Sequence, residues 1–127
     1  MGGMGEPRVI AIAGAAGGLG PVVAERLAAE GHSLALTDVS EDRLHDLAAA
    51  LDLPDERIDT RAVNLLDQEA TRSWAAGLAD NFGHVDTLLH LVGGWRGGDP
   101  LATCSLDDYD FLHDLLVRTV QHTTRAF

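Results

Sequence analysis

An apolar run that passes directly into a cluster of glycines is the feature of this sequence that most restricts its fold. Val9–Ala13 is apolar throughout, and Gly14, Gly17, Gly18 and Gly20 follow at once. Short apolar runs that enter glycine clusters are typical of buried parallel strands. The apolar residues after Gly20 recur at helical spacing. The segment therefore predicts a buried strand, a tight turn and a helix.

The same strand–helix pattern recurs along the chain. Further strands are predicted at 33–37, 58–63 and 85–92, and further helices after the potential N-caps Ser40, Asp67 and Ser105. In the last helix, Leu112, Leu115, Leu116, Thr119 and Val120 are predicted to face inward. An alternating order of strands and helices implies a parallel sheet covered on both faces. The predicted fold class is α/β, the N-terminal half of a Rossmann-like doubly wound parallel sheet with strand order 3-2-1-4.

Length and cysteine content indicate one domain without disulfides. The chain has 127 residues, of which 46% are hydrophobic, so a single domain over 8–127 can bury a core. Residues 1–7 are predicted to be a disordered leader. A single cysteine, Cys104, cannot form an internal disulfide, which suits a reducing compartment, and we expect a cytoplasmic protein.

The charge balance disfavours several kinds of partner. Nine Lys and Arg against 20 Asp and Glu give a formal net charge of −11. Such a surface repels nucleic acids and anionic membranes, so neither is expected as a partner. No apolar run approaches the roughly 20 residues that span a bilayer. The histidines and Cys104 lack metal-ligand spacing, and no metal site is predicted.

The glycine turn could still hold an anion, because the relevant field is local. Gly14 permits a sharp turn, and the start of the following helix offers free N–H groups with a partial positive charge. A pyrophosphate could approach the backbone where side chains are missing. The alternative, a merely tight connection, is about equally common for an isolated glycine cluster.

An acidic residue at the end of the second predicted strand strengthens the nucleotide interpretation. Asp38 stands 18 residues after Gly20, which suits a hydrogen bond to the hydroxyls of an adenosine ribose. A carboxylate there would repel a ribose 2′-phosphate, and Val39 supplies no cation. NAD is therefore favoured over NADP. The alternative role for Asp38 is a helix or turn cap.

The spacing Gly14-x-x-x-Gly18-x-Gly20 resembles the cofactor turn of the short-chain dehydrogenase/reductase family. Ala13 stands where that family often has Thr. The segment 82–89 is similar to the family's lead into its fourth strand. This resemblance implies an NAD(P)-dependent oxidoreductase that transfers hydride between nicotinamide and an alcohol or carbonyl substrate. It also implies a homo-oligomer.

The resemblance extends the candidate site along the chain. Asn64 and Leu65 occupy the family's adenine-side position, although Asn64 could equally just end its strand. Val92 and Gly93 occupy the nicotinamide-side position. The predicted cofactor-binding residues are Gly14, Gly17, Gly18, Leu19, Gly20, Asp38, Val39, Asn64, Leu65, Val92 and Gly93.

Several positions depart from the family pattern. His90 replaces an Asn and is expected to brace the sheet, and Leu116 stands near the position of the family's active-site Asn. The family's Tyr-x-x-x-Lys pair falls beyond Phe127, and this chain has no Lys. No catalytic residue is therefore predicted. We expect a chain truncated before that segment, inactive by itself, with an open edge on its fourth strand.

Three functions remain open at this point. The leading one is the oxidoreductase. The first alternative is a noncatalytic nucleotide-binding or interaction module, and the second is a structural partner that binds no nucleotide. Trp95 and Arg96 follow the fourth strand and could border a substrate, an anionic one for Arg96, or could belong to a plain surface loop.

Overall fold

The computed structural model describes residues 5–127, which form four strands and five α-helices. Of the predicted leader, residues 1–4 lie outside the described part, and residues 5–7 are exposed without helix or strand. The elements are β1 Val9–Ala13, α1 Gly20–Ala29, β2 Ser33–Asp38, α2 Glu41–Leu51, β3 Ile58–Ala62, α3 Gln68–Phe82, β4 Thr87–His90, α4 Leu106–His113 and α5 Thr119–Ala126, with a 3₁₀ turn at Asp55–Arg57 and a π-helical segment at Asp114–Arg118.

The strands form one parallel sheet in the order β3-β2-β1-β4, which confirms the predicted topology. The central pair aligns Val9 with Ser33 and Ala13 with Thr37. Within residues 5–127, β4 pairs with β1 alone and forms one edge of the sheet. The carboxyl ends of all four strands lie at the same side, where ligands bind in open α/β sheets.

Side-chain size alternates along β1 and decides what packs on each face. Ile10 and Ile12 point towards α1 and α2, where they contact Leu44 among other buried residues. Ala11 and Ala13 point to the opposite face, into the cluster that contains Trp74. Successive strand residues face opposite sides, so one apolar run supplies both halves of the core.

The alanine face accommodates one large aromatic side chain. Trp74 of α3 is 1% exposed and packs over the small side chains of Ala11, Ala13 and Ala35. The edge of the Phe127 ring meets Trp74 at a centroid distance of 5.1 Å. This contact holds the end of the chain against α3, because aromatic pairs favour such edge-to-face geometry.

Local caps define the helix boundaries as the sequence predicts. The side chains of Ser40, Asp67 and Ser105 each accept a backbone N–H from the first turn of the helix that follows. Each bond satisfies one of the free donors at a helix start. Among residues 5–127, no helix has both the length and the apolar character needed to cross a bilayer.

β4 is shorter than the predicted strand 85–92, and β3 ends at Ala62 rather than at residue 63. β4 pairs only with β1, which ends opposite His90. At its start the Asp86 carboxylate accepts the Val9 N–H at 2.8 Å, so a side chain replaces a backbone partner there. This bond lowers the pKa of Asp86 below its ordinary value.

The predicted inward face of the last helix is wrong at two positions. Leu116 and Val120 are 44% and 39% exposed, whereas Thr119 is buried. The π-helical segment Asp114–Arg118 explains the change, because an extra residue in one turn rotates the following side chains around the axis. Leu116 and Val120 line an outer groove of about 620 Å³ instead.

Candidate functional site

The turn between β1 and α1 is held by backbone contacts that require glycine at Gly14. This residue has a φ of 80°, and a Cβ there would lie 2.7 Å from the Val92 nitrogen. The N–H groups of Gly14 and Ala15 both donate to the Thr37 carbonyl, at 3.1 and 3.0 Å. Gly14 therefore lets three neighbouring strands meet at the carboxyl edge of the sheet.

The other glycines of the turn fall into two kinds. A Cβ on Gly20 would lie 2.0 Å from the Ala15 oxygen, so close packing of α1 against the turn excludes a side chain. A Cβ on Gly18 would meet no atom within 4 Å, and one on Gly17 only the Gly14 oxygen at 3.4 Å. Packing therefore explains Gly20 and leaves open space beside Gly17 and Gly18.

Asp38 joins the second strand to this turn. One carboxylate oxygen accepts the Ala16 N–H at 3.0 Å, and the other accepts the Val39 N–H at 2.8 Å. Asp38 is thus a turn cap, as one of its two interpretations predicted. A carboxylate offers about four acceptor positions, so these two bonds leave capacity for ribose hydroxyls.

Arg43 also contacts the glycine turn, and it is absent from the residues predicted from the sequence. It belongs to the first turn of α2, and its guanidinium donates to the Ala16 carbonyl. The sequence offers only a weak signal for it, a cation one turn after the strand that carries Asp38. Whether the Arg43 side chain reaches the glycine turn depends on how α2 packs against the sheet, which local spacing does not predict.

A cleft of about 500 Å³ brings most of the predicted residues together. Its lining includes the predicted residues Gly14, Gly17, Gly18, Asp38, Val39, Asn64, Leu65, Val92 and Gly93. It also includes residues that were not predicted, namely Arg43, Val63, Leu66, Leu91, Phe111, Asp114, Leu115 and Thr119. The last four belong to the terminal helix, by which we mean α4, the π-helical segment and α5 together. Their spacing does not predict a place in the cleft until this helix is packed beside the sheet.

Two predicted residues lie outside the lining. Leu19 precedes α1 and is 57% exposed, and Gly20 is buried beneath the turn. Both stand at the start of α1, so they place its backbone rather than forming the wall of the cleft. Gly18 and Leu19 donate no backbone hydrogen bond to any other loop residue of the described chain.

Asn64 and Leu65 form the wall beyond β3. The Asn64 side-chain oxygen accepts the Leu66 N–H at 3.0 Å, which turns the chain at the end of the strand. The neighbouring Leu65 is buried, and its carbonyl lies 2.6 Å from Nδ1 of His122. Asn64 therefore ends its strand and also faces the cleft, so both interpretations of this residue stay compatible with the structure.

His90 connects β4 to the terminal helix. Its Nε2 lies 3.2 Å from Oγ1 of Thr119, and its Nδ1 lies 3.2 Å from Oγ1 of Thr123. Burial lowers the pKa of His90 below its ordinary value, since the charged form loses hydration. Thr119 also lines the cleft. His90 thus braces β4 against a helix, and it does not itself line the cleft.

The loop after β4 borders the same opening with exposed side chains. Trp95 is 80% exposed, and the Arg96 guanidinium stands 3.6 Å from the centroid of the Phe111 ring. Phe111 lines the cleft, so this cation–π contact places Arg96 near its rim.

The shape and donors of the cleft fit a dinucleotide. Its volume falls within the range of small-molecule sites, and Gly18 and Gly93 leave space where other residues would place a side chain. The start of α1 adds a partial positive charge beside Gly18. Across residues 5–127, no group of three or more His, Cys, Asp and Glu side chains is placed to hold a metal ion.

The family model for short chain dehydrogenases matches residues 8–127. Levodione reductase of Leifsonia aquatica is 30% identical over 115 residues, which are 89% of this chain and 43% of that protein. Meso-2,3-butanediol dehydrogenase of Serratia marcescens is 31% identical over 104 residues, covering 82% of this chain and 40% of that protein.

Solved structures show the same fold. A short-chain dehydrogenase/reductase from Brucella melitensis, described as a glucose/ribitol dehydrogenase, superposes with a TM-score of 0.86 at 28% identity. The match covers 99% of this chain and 53% of that one. The chain thus spans less than half of the two curated relatives and about half of the solved protein.

Proposed function

Because the chain belongs to the short-chain dehydrogenase/reductase family, we propose that it forms the cofactor-binding half of a nicotinamide-dependent oxidoreductase. The observation that carries this proposal is the open space beside Gly17 and Gly18, which line the same cleft as Asp38. Folding gives no reason for a missing side chain at Gly18, whereas close approach of a pyrophosphate does.

Each part of the cleft has a proposed role. The glycine turn and the start of α1 hold the pyrophosphate, and Asp38 accepts hydrogen bonds from the adenosine ribose. Asn64 and Leu65 border the adenine, while Val92 and Gly93 border the ribose on the nicotinamide side. The bound dinucleotide supplies or accepts the hydride. This chain's residues position it and exclude water.

We propose NAD as the preferred cofactor. The Asp38 carboxylate would repel a ribose 2′-phosphate. Its hydrogen bonds to the backbone N–H groups of Ala16 and Val39 hold this carboxylate where we place the adenosine ribose. Arg43 lies at the same end and would offset part of that repulsion. We therefore expect a preference for NADH over NADPH rather than exclusion of NADPH, measurable by titrating both against the same sample.

The proposed reaction interconverts an alcohol and a carbonyl in a small molecule. The relatives named above are a reductase and a dehydrogenase, which supports this class. Within this chain, the single tyrosine, Tyr109, is exposed and stacks on His113, and the sequence contains no Lys. We propose that the acid–base residues belong to the part of the family protein that this chain does not cover, so the chain alone binds without turnover.

Titration with NADH tests the binding function. Asp38→Ala should weaken NADH binding roughly tenfold, because it removes charge-assisted hydrogen bonds. Asp46→Ala on the exposed surface of α2 is the matched control and should leave the affinity within about twofold. If the unsubstituted chain gives no saturable fluorescence or calorimetric signal with NADH, the chain does not bind the cofactor and the proposal fails.

A second substitution separates binding from folding. Gly18→Val fills the open space beside the turn and should weaken NADH binding by roughly tenfold or more, while the free energy of unfolding changes little. Unchanged affinity in this variant would show that the cofactor does not approach Gly18.

A noncatalytic nucleotide-binding module is the second candidate function. The departures from the family pattern at His90 and Leu116 motivate it, whereas the family match and the two named relatives favour the oxidoreductase. Cofactor binding without turnover by the complete gene product would support the module. Oxidation of NADH with a panel of small carbonyl compounds would support the enzyme.

We further propose a cytoplasmic homo-oligomer. The exposed Leu116, Val117 and Val120 side chains support self-association. Sedimentation velocity tests this point: a single monomeric species at all micromolar concentrations would refute it.

A further inference from the structure

Two charged side chains, those of Asp38 and Arg43, bind the backbone of the same residue of the glycine turn. Asp38 accepts the N–H of Ala16 at 3.0 Å, and Arg43 donates to its carbonyl. Ala16 stands directly before Gly17 and Gly18, the two glycines that leave open space in the cleft. The backbone of the turn is therefore anchored immediately before the stretch that faces the proposed pyrophosphate.

The anchors of Gly14, Ala15 and Ala16 come from one neighbouring segment, and within the turn the Gly17 N–H donates to the Gly14 carbonyl at 3.2 Å. Gly14 and Ala15 donate to Thr37, and Ala16 is bound by Asp38 and Arg43, so 37–43 holds three consecutive residues. Gly17 and Gly18 have no side chains with which to pack and lose more conformational freedom than other residues when ordered. Apart from the Gly17 N–H bond to Gly14, the order of this backbone therefore depends on the bonds made by Ala16.

We propose that Arg43 is a positioning residue that fixes the phosphate-binding turn through the Ala16 carbonyl, together with Asp38. Arg43 raises cofactor affinity by preorganising the turn, which lowers the ordering cost that binding would otherwise carry. This inference rests on the proposed function of the cleft.

The contacts of Arg43 distinguish a brace, by which we mean a side chain that holds the Ala16 carbonyl, from two other roles of an arginine at this position. Arg43 and Asp38 form no ion pair within 4.0 Å in the described chain, although both line the cleft, so charge neutralisation of Asp38 is not what holds Arg43. Direct binding of a 2′-phosphate would use the same guanidinium but would favour NADPH alone. A brace affects every ligand that contains the pyrophosphate.

The test compares Arg43→Ala and Arg43→Lys with Arg26→Ala. Arg26 is exposed near the far end of α1, and its substitution removes the same charge outside the cleft. We expect Arg43→Ala to weaken NADH binding roughly three- to tenfold. NADPH binding should weaken by at least that factor, because Arg43 also offsets the repulsion between Asp38 and a 2′-phosphate. The affinity for adenosine, which lacks phosphates, should change less than twofold in Arg43→Ala. Arg43→Lys should retain part of the affinity for NADH, because an ammonium group also donates to a carbonyl.

Amide exchange of the chain without cofactor gives an independent measurement. In Arg43→Ala the amides of residues 16–18 should exchange faster than in the unsubstituted chain, and those of β1 should not. Arg26→Ala should leave both groups unchanged.

Four results would overturn the inference. Loss confined to NADPH would make Arg43 a phosphate ligand, and an equal loss for adenosine would make it a base contact. Tighter NADH binding by Arg43→Ala would show that Arg43 obstructs the cleft. Unchanged affinity and unchanged exchange would show that the turn does not need Arg43. Absence of NADH binding by the unsubstituted chain is a different result, which refutes the proposed function itself.

Discussion

The two ends of the cleft are built in different ways. At the end formed by the glycine turn, the backbone packs so closely that a Cβ would lie 2.7 Å from the Val92 nitrogen at Gly14 and 2.0 Å from the Ala15 oxygen at Gly20. At the other end, an exposed loop and the terminal helix are tied to β4 by side chains, chiefly through His90. The first end has no room for a side chain at Gly14 and Gly20, whereas the second depends on a few side-chain contacts.

The contrast indicates where change is tolerated. Backbone-to-backbone packing cannot relax by a rotamer change, so a single methyl group there must displace a strand or a helix. Side-chain contacts between a strand and a helix can be lost one at a time, each at modest cost. A rigid end suits a constant part of a ligand, and an adaptable end suits a variable one.

The largest expected difference lies between two glycines at opposite ends. Gly20→Ala should lower the free energy of unfolding by about 3 kcal/mol, because its Cβ would enter the Ala15 backbone. Gly93→Ala should change it by no more than about 0.5 kcal/mol, because nothing lies within 4 Å. Urea unfolding measures both. If both variants lower the free energy of unfolding equally, the two ends do not differ in how closely their backbones are packed.

The next effect concerns the hydrogen bonds by which His90 joins β4 to α5. Thr123→Val keeps the shape but removes the hydroxyl beside Nδ1 of His90, which should cost about 1–2 kcal/mol of unfolding free energy. Thr124→Val, one residue along on the exposed side, is the control and should be nearly neutral. If the two variants have the same stability, the hydrogen bond to His90 contributes nothing.

A smaller effect should appear in the pH dependence of stability. Burial lowers the pKa of His90, so the unfolded chain binds more protons than the folded chain just below the ordinary pKa of 6.5. Stability should therefore rise with pH through this region and fall as pH decreases through 6.5 towards the folded-state pKa.

His90→Gln should reduce this slope when unfolding free energies are measured between pH 5 and 8. His45→Gln, at an exposed position of α2, should keep it. A slope unchanged by His90→Gln would assign the pH dependence to other groups.

The smallest effect is expected at the rim. Phe111→Leu removes the ring beneath Arg96 and should cost about 0.5 kcal/mol, the value of an exposed cation–π contact. The Arg96 side chain should become more mobile in NMR relaxation of its Nε–H group. Tyr109→Leu, which leaves that ring in place, should not change Arg96 relaxation. An Arg96 signal insensitive to Phe111→Leu would show that the ring does not hold it.

Prediction from sequence succeeded where the pattern is local and failed where it is not. The helix caps at Ser40 and Asp67 and the position of Asp38 follow from short-range spacing. The strand order follows from the alternation of strands and helices together with the handedness of their connections. The exposure of Leu116 and Val120 was predicted wrongly, because a π-helical turn shifts a helix face without any mark in the sequence.

The sequence by itself determined the alternation of strands and helices, the glycine turn and the acidic residue that follows the second strand. These depend on residues close together in the chain, whose periodicity and caps act before any long-range contact forms. Only the tertiary structure decided that Arg43 reaches Ala16 and that Thr119 meets His90. Such contacts join residues separated by whole elements, and the packing of helices on the sheet selects them.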